Sequence, residues 1–515
     1  MGVLSGLEPR KVFEYFEAIA AIPHGSRNTK AISDYLVAEA ARLGLESYQD
    51  SLNNVIIYKP ASAGYEQAAT VVLQGHMDMV CEKTDGCETD FTKDGLKLVC
   101  ENGYVSAEGT TLGGDDGIAV AYMLAILADR ELPHPALECV FTVDEEIGMD
   151  GAQGLDGSKL SGRILMNMDS EGEGTFLAGC AGGATASVRI PLEYETKSGT
   201  LYTLALGGLR GGHSGVEIHK GRANADVMMG RLLDALLSKQ LVSLVSIEGG
   251  SKDNAIPRSC KAKVLVKDAD AEQVAILVKA AERTFKNEYQ AIDPEINIVF
   301  AEGEDAEAKA ETVSLVTRNK LVRRRFLIPP REMKKFDRDE AECLTLASAG
   351  RLVTALVGLP NGVQAMDSFI PGLVETSLNL GILKIENGAA VLGFSVRSSV
   401  NSKKDALLRR LQLLAAAVGA TMTVEGAYPA WQYRADSALR DLMVGTYTEM
   451  FGTAPTVETI HAGVECGLLS DKLPGMDAVS FGPNIYAIHT PDERMEVASV
   501  ERTFRFILEV LKRMK

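Results

Sequence analysis

Val71-Val72-Leu73-Gln74-Gly75-His76-Met77-Asp78 opens on a short apolar, β-branched run and closes on an imidazole with a carboxylate two residues beyond it. The run reads as a buried strand, so His76 and Asp78 emerge where that strand ends. In an open α/β sheet, that edge is where ligands bind. A histidine with an acid two residues on suggests a metal ligand whose second ring nitrogen is held by the acid, which fixes the tautomer and raises ligand basicity. By itself such a pair is more often structural, and its meaning depends on what the rest of the chain supplies.

Working outward, residues 9–22 and 29–43 have helical spacing, separated by Pro23-His24-Gly25-Ser26, and residues 54–58 and 70–73 read as strands. Helices alternating with apolar strands imply a mixed or parallel sheet covered on both faces. Residues 81–108 read as loop or hairpin. Gly113-Gly114-Asp115-Asp116-Gly117 then leads into residues 118–128, apolar on nearly every side, a buried helix with carboxylates at its start. Residues 137–143 form a strand ended by Asp144-Glu145-Glu146, and residues 164–168 another ended by Asp169.

After Gly179-Cys180-Ala181-Gly182-Gly183 few acids fall at strand ends. The expected architecture is α/β with two domains. Residues 1–186 and 401–515 form a discontinuous domain with a mixed sheet covered by helices, interrupted by an inserted α+β domain over residues 187–400. The basic run Arg318-Asn319-Lys320-Leu321-Val322-Arg323-Arg324-Arg325 reads as a solvated face. Residues 403–418 are an amphipathic helix assigned to the resumed first domain, 478–481 a short strand and 500–514 a closing helix. The polar loop between the last two carries His489, a natural place for a ligand.

The length of 515 residues exceeds one ordinary core. A formal charge of −17 argues against nucleic acid or an anionic membrane as partner. Eight thinly spread cysteines with no CxxC pair fit unpaired thiols in a reducing compartment. With no basic-then-apolar leader and no apolar run near the roughly 20 residues of a membrane helix, the expected location is the cytoplasm.

The acids and histidines that fall where apolar runs end are His76, Asp78, Asp115, Glu145, Glu146, Asp169 and His489. A single carboxylate after a strand is often only a helix N-cap; the joint occurrence carries the weight. Two histidines with three carboxylates supply the mixed ligands that suit zinc, cobalt or manganese. One carboxylate bridging two ions lets five residues fill both sites and leaves room for a water whose pKa the ions lower. In Glu145-Glu146 one residue can ligate while its neighbour accepts the water's proton. The chemistry implied is hydrolysis.

His76-x-Asp78, Gly113-Gly114-Asp115-Asp116-Gly117, Asp144-Glu145-Glu146-Ile147-Gly148, Met168-Asp169-Ser170 and the late His489 resemble the ordered motif set of the co-catalytic zinc peptidases that include carboxypeptidase G, aminoacylase, the tripeptidase and cytosolic dipeptidases. Thr111-Leu112-Gly113-Gly114-Asp115-Asp116-Gly117-Ile118, Ile460-His461-Ala462-Gly463-Val464-Glu465-Cys466-Gly467 and His489-x-Pro491-Asp492-Glu493 most resemble the dipeptidase branch of that family. The resemblance implies two divalent ions per subunit, zinc first, with His76 and Asp169 on one, Glu146 and His489 on the other, and Asp115 bridging. It makes Asp78 the residue that orients His76, Glu145 the general base, and the Asp115-Asp116 peptide cis. The inserted domain becomes a substrate-binding lid, through which the chain forms a homodimer.

By the same resemblance, His213 in Arg210-Gly211-Gly212-His213-Ser214-Gly215 polarises the scissile carbonyl, and Asn254 and Arg397 bind the substrate carboxylate. Arg397 suits that task because its planar fork pairs with both oxygens. His461 and Glu465 occupy a turn where a carboxylate would capture a dipeptide's free α-amine. His24, His134 and His219 read as structural. The expected reaction is hydrolysis of Xaa-His and other dipeptides. The alternatives are a deacylase of N-acyl amino acids, a tripeptidase and a non-catalytic peptide-binding protein.

Overall fold

The opening run is a strand, Val71–His76, buried at every residue and flanked on both sides by parallel neighbours. The computed structural model describes residues 2–303, 340–368 and 370–515. Among these, the strand sits inside an eight-stranded sheet in the order Glu46–Gln49, Val55–Lys59, Leu137–Thr142, Val71–His76, Ile164–Asn167, Asp477–Ser480, Thr175–Cys180 and Thr456–Ile460. The middle of the sheet is parallel, from Leu137–Thr142 to Asp477–Ser480, while the first two strands join antiparallel. Strands so placed are covered on both faces, which is why their sequences run apolar rather than alternating.

The helix Gly114–Ala128 lies on this sheet with residues Gly114 through Leu127 all buried, and it packs against the helix Arg10–Ala20, whose buried face carries Phe13 and Phe16. The closing helix Val497–Arg513 buries Phe506, which stacks on Phe176 of the sheet at 5.5 Å between ring centroids. The hairpin expected within residues 81–108 is present as Leu98–Glu101 and Tyr104–Ala107.

The chain divides into two compact units, Met1–Ala181 with Tyr428–Lys515, and Gly182–Ala427. In the second, Gly362–Met366, Val374–Glu386, Ala389–Ser398 and Gly182–Pro191 pair antiparallel in that order, with Thr421–Tyr428 beyond them. A second antiparallel sheet runs Val242–Glu248, Cys260–Val266, Thr200–Gly207 and Asn297–Glu302. The helices Ala225–Leu237 and Leu346–Gly358 contribute Leu232, Leu233, Leu352 and Leu356 to the core between these elements.

The return to the first unit comes at Tyr428, not near residue 401. The helix Asn401–Ala417 buries Leu407, Leu411 and Ala415 and lies on the strands Ala389–Ser398 and Gly182–Pro191. Lys403 Nζ fastens it with contacts of 2.5 and 2.7 Å to Glu375. An amphipathic helix shows which face it buries but not which sheet receives it, and here the inserted unit's sheet does. The basic run 318–325 lies outside the described residues. Among the described residues, all eight cysteines are unpaired and no helix is long and apolar enough to cross a membrane.

Candidate metal centre

Three parallel strands deliver their C-terminal ends to one edge. His76 is the last residue of Val71–His76 and pairs with Thr142, so Glu145 and Glu146 follow three and four residues past that level. Gln74 pairs with Asn167, which puts Asp169 just beyond the neighbouring strand. Asp115 comes from the start of Gly114–Ala128, where Asp115 and Asp116 depart from helical φ/ψ and the peptide between them is cis. His489 sits between the short strands Ile485–Tyr486 and Arg494–Glu496, at a φ of 61°.

These elements bring all five expected ligands together. Asp115 Oδ1 lies 3.1 Å from His76 Nε2, and Asp115 Oδ2 lies 3.3 Å from His489 Nε2. Asp169 Oδ1 is 3.5 Å from His76 Nε2, while Glu146 Oε2 is 3.0 Å from His489 Nε2. One carboxylate thus faces two imidazoles, each of which has a second carboxylate of its own. Ligand atoms of Asp115, Glu146 and His489 fall within 4.8 Å of one another, as do those of His76, Glu145 and Glu146, and of His76, Asp116 and Asp169. Asp116 differs from the others because its Oδ2 already accepts the His76 amide at 3.2 Å.

The donor set fits divalent cations on two observations. It gathers imidazole nitrogens and carboxylate oxygens of the type zinc, cobalt and manganese accept. It also leaves Glu146 Oε1 buried with no hydrogen-bond partner among the described residues, an arrangement that is costly for a carboxylate unless a cation answers it.

Electrostatics follow from this crowding. Burial pushes Glu145 well above the ordinary carboxylate range, with the charges of Asp169, Glu465 and Glu146 adding to the shift. Burial likewise takes Asp169 up to about 6. Burial works against the Asp115 carboxylate too, but hydrogen bonds from His489 and His76 win and hold it low. Hydrogen bonds to Asp115 and Glu146 raise His489 to about 10.

Asp78 does more than the sequence implied. His76 Nδ1 donates to the Asp78 carbonyl oxygen at 3.0 Å, with the carboxylate Oδ1 farther off at 3.5 Å. With Nδ1 committed to that carbonyl, Nε2 is the nitrogen that faces Asp115 and Asp169 and would ligate a cation. The carboxylate itself accepts the Glu145 amide at 3.1 Å and the Ser26 hydroxyl at 2.8 Å. Ser26 escaped the sequence reading because a serine in a loop 52 residues away carries no periodic signal.

Glu465 lies against the same strands. It is fully buried, and its Oε2 accepts from Gln74 Nε2 at 2.5 Å and Thr142 Oγ1 at 2.7 Å. That oxygen ties together the strands that lead to His76 and Glu145, while Oε1 is buried with no hydrogen-bond partner among the described residues. His461 is likewise buried, at 6% exposure. His24 and His134 are buried with Nδ1 on the carbonyl oxygens of Ile22 and Pro135, as structural residues are, and His219 is exposed.

In the unit Gly182–Ala427, the strand Gly212–His213 pairs with Ala255–Ile256, and the Ser214 amide donates to the Asn254 carbonyl at 2.8 Å. Asn379 Nδ2 holds the same loop through the carbonyls of Asp253 and Ala255. His213 Nδ1 accepts the amides of Gly215 and Val216 at 3.1 and 3.2 Å, which assigns the neutral ring's proton to Nε2. Burial lowers the His213 pKa and the charge of Arg397 lowers it further, so the ring is a neutral Nε2–H donor near pH 7. Arg397 is nearly buried in the strand Ala389–Ser398, opposite Ser377.

Comparison with known proteins agrees with this geometry. A family model described as peptidase family M20/M25/M40 matches residues 72–513. The chain is 36% identical over 514 residues to the cytosol non-specific dipeptidase of Escherichia coli (strain K12), with 99% of each covered. Aminoacylhistidine dipeptidase from Vibrio alginolyticus is similar in structure with a TM-score of 0.87 at 34% identity, covering 99% of this chain and 98% of that one. Aminopeptidase PepT from Bacillus cereus shares the fold at 14% identity and a TM-score of 0.54, with 99% of each chain covered. With one model spanning most of its length and a full-length relative at this identity, the chain belongs to peptidase family M20/M25/M40.

Proposed function

We propose that this protein is a metal-dependent dipeptidase that cleaves Xaa-His and other dipeptides. The observation that carries the reading is Asp115, whose two oxygens face the ring nitrogens of His76 and His489 at 3.1 and 3.3 Å. The full-length relatives, named as dipeptidases, supply the substrate class. His76 and Asp169 would hold one ion, Glu146 and His489 the other, and Asp115 both, with zinc as the first candidate and cobalt or manganese as alternatives. Two such cations supply Lewis-acid polarisation of the peptide carbonyl and a more acidic water.

The chain's own groups do the rest. Glu145 accepts the proton of the attacking water at its carboxylate and returns it to the leaving amine nitrogen; burial raises its basicity toward what that task needs. His213 donates its Nε2–H to the carbonyl oxygen as negative charge develops there. Arg397 and Asn254 receive the substrate's carboxylate, the guanidinium by a two-point contact. A homodimer formed through Gly182–Ala427 and a cytoplasmic location belong to the same reading, the latter supported by eight unpaired thiols.

The test is a hydrolysis panel on metal-free protein reconstituted with zinc, cobalt or manganese. Xaa-His and other dipeptides are expected to be cleaved only after reconstitution. Cleavage of N-acetyl amino acids in their place would make the protein a deacylase, and cleavage of tripeptides alone a tripeptidase. Metal binding without cleavage of any amide would leave a peptide-binding protein.

A further inference from the structure

Glu493 follows His489 by four residues and is 2% exposed. Its Oε2 accepts the amides of Leu112 and Gly113 at 2.8 and 3.1 Å, and its Oε1 accepts those of Gly114 and Asp115 at 2.8 and 3.4 Å. One carboxylate therefore takes four consecutive backbone donors from the segment that ends in Asp115. The segment is shaped for this. Gly113 adopts a φ of 64°, which favours glycine, and a Cβ on Gly114 would stand 3.2 Å from Glu493 Oε1, close enough to push the carboxylate back by a few tenths of an ångström.

The two segments so joined are far apart in sequence and each bears a proposed ligand of the same ion, Asp115 on one and His489 on the other. The opposite ion's ligands, His76 and Asp169, stand at the ends of paired strands in the central sheet and have that support instead. His489 has no such strand. Its side chain is 46% exposed, and the loop's internal bonds, Glu493 N to the Thr490 carbonyl and Thr490 Oγ1 to the Ala487 carbonyl, are local.

We propose that Glu493 is a positioning residue that sets the spacing of Asp115 and His489 and so preforms the site of the ion that Glu146 and His489 would hold; the other ion shares Asp115 but has His76 and Asp169 on the central sheet, and depends on Glu493 less. The inference rests on the two-ion reading of the site, and not on which amide is cleaved. A carboxylate suits the task because it accepts at both oxygens and donates at neither. Glutamine would turn an NH₂ toward two amide donors, and aspartate would keep the charge but fall one methylene short.

The test is metal binding by the full-length apo-protein, wild type against Glu493→Gln and Glu493→Asp. It is followed by calorimetry and by the visible absorption of added Co(II), with thermal scans alongside. Outer-shell partners of metal ligands typically control affinity by about 10–100-fold. The expected result is that one ion binds within a few-fold of wild type while the other weakens by about that factor in Glu493→Gln and by less in Glu493→Asp. Turnover lost in Glu493→Gln should return in excess metal, with KM for dipeptide unchanged.

Two ions bound at wild-type affinity would overturn the proposal. So would equal weakening of both ions in a variant with a lowered Tm, because that is the signature of a merely structural residue. If Glu493→Gln does not fold, Glu493→Asp decides by the same criteria. Selective loss of one ion in a protein whose wild type cleaves no dipeptide would sustain the Glu493 assignment and reject the dipeptidase reading.

Discussion

The backbone amide of Glu145 donates to Asp78 Oδ1 at 3.1 Å, so the residue that orients His76 through its carbonyl also fixes the start of the loop bearing the proposed base. Asp78→Asn keeps one acceptor oxygen and removes the charge. The expected outcome is a fall in kcat of about 10–100-fold with a Tm close to wild type. Steady-state kinetics and thermal scans check it, and a wild-type rate would refute the coupling.

Glu145→Gln removes the proton acceptor while keeping size and polarity. Its kcat should fall by about 10²–10⁴-fold. Elemental analysis should still find two ions per chain, since the five ligands are untouched. Retained turnover would move the base to another residue.

Chelation should abolish activity and also lower the Tm, because Asp115, Glu146 and Asp169 are then left crowded with only imidazoles to answer them. Adding an ion to about 100 times its Kd should stabilise the fold by about 2.7 kcal/mol. Thermal scans at several metal concentrations measure it. A Tm that ignores metal would count against the site.

Arg397→Lys retains the charge but gives up the planar fork. KM for dipeptides should rise by about tenfold, equivalent to about 1.4 kcal/mol, with a smaller change in kcat. Equal loss in both parameters would point away from a ground-state contact with the substrate carboxylate.

Asp226, fully buried in the second unit, is pushed up to about 7 by burial, with the Gly250 amide and the Cys260 thiol pulling the other way. Its unfolded value is about 3.9, so between the two values the folded chain binds the extra proton. Stability therefore falls as pH rises through that window, by at most about 1.4 kcal/mol per pH unit from this group. Asp226→Asn should flatten this slope and raise the Tm above the window. Denaturation followed across pH tests it, and a parallel slope in the variant would remove Asp226 as the cause.

Sequence by itself determined the fold class and the strand ends from which the proposed ligands come. Apolar runs such as 71–73 and 137–143 end in His76 and Glu145-Glu146, and because their strands are parallel neighbours those ends meet at one edge. A period in sequence reports which face of an element is buried, and that is a local property. Tertiary structure alone decided what depends on which surface meets which. The helix Asn401–Ala417 joined the inserted unit's sheet, Glu465 Oε2 was joined to Gln74 and Thr142, and the Glu493 carboxylate met four amides some 380 residues away. Hydrogen bonds between distant segments leave no periodic trace, because either partner alone reads as an ordinary polar residue in a loop.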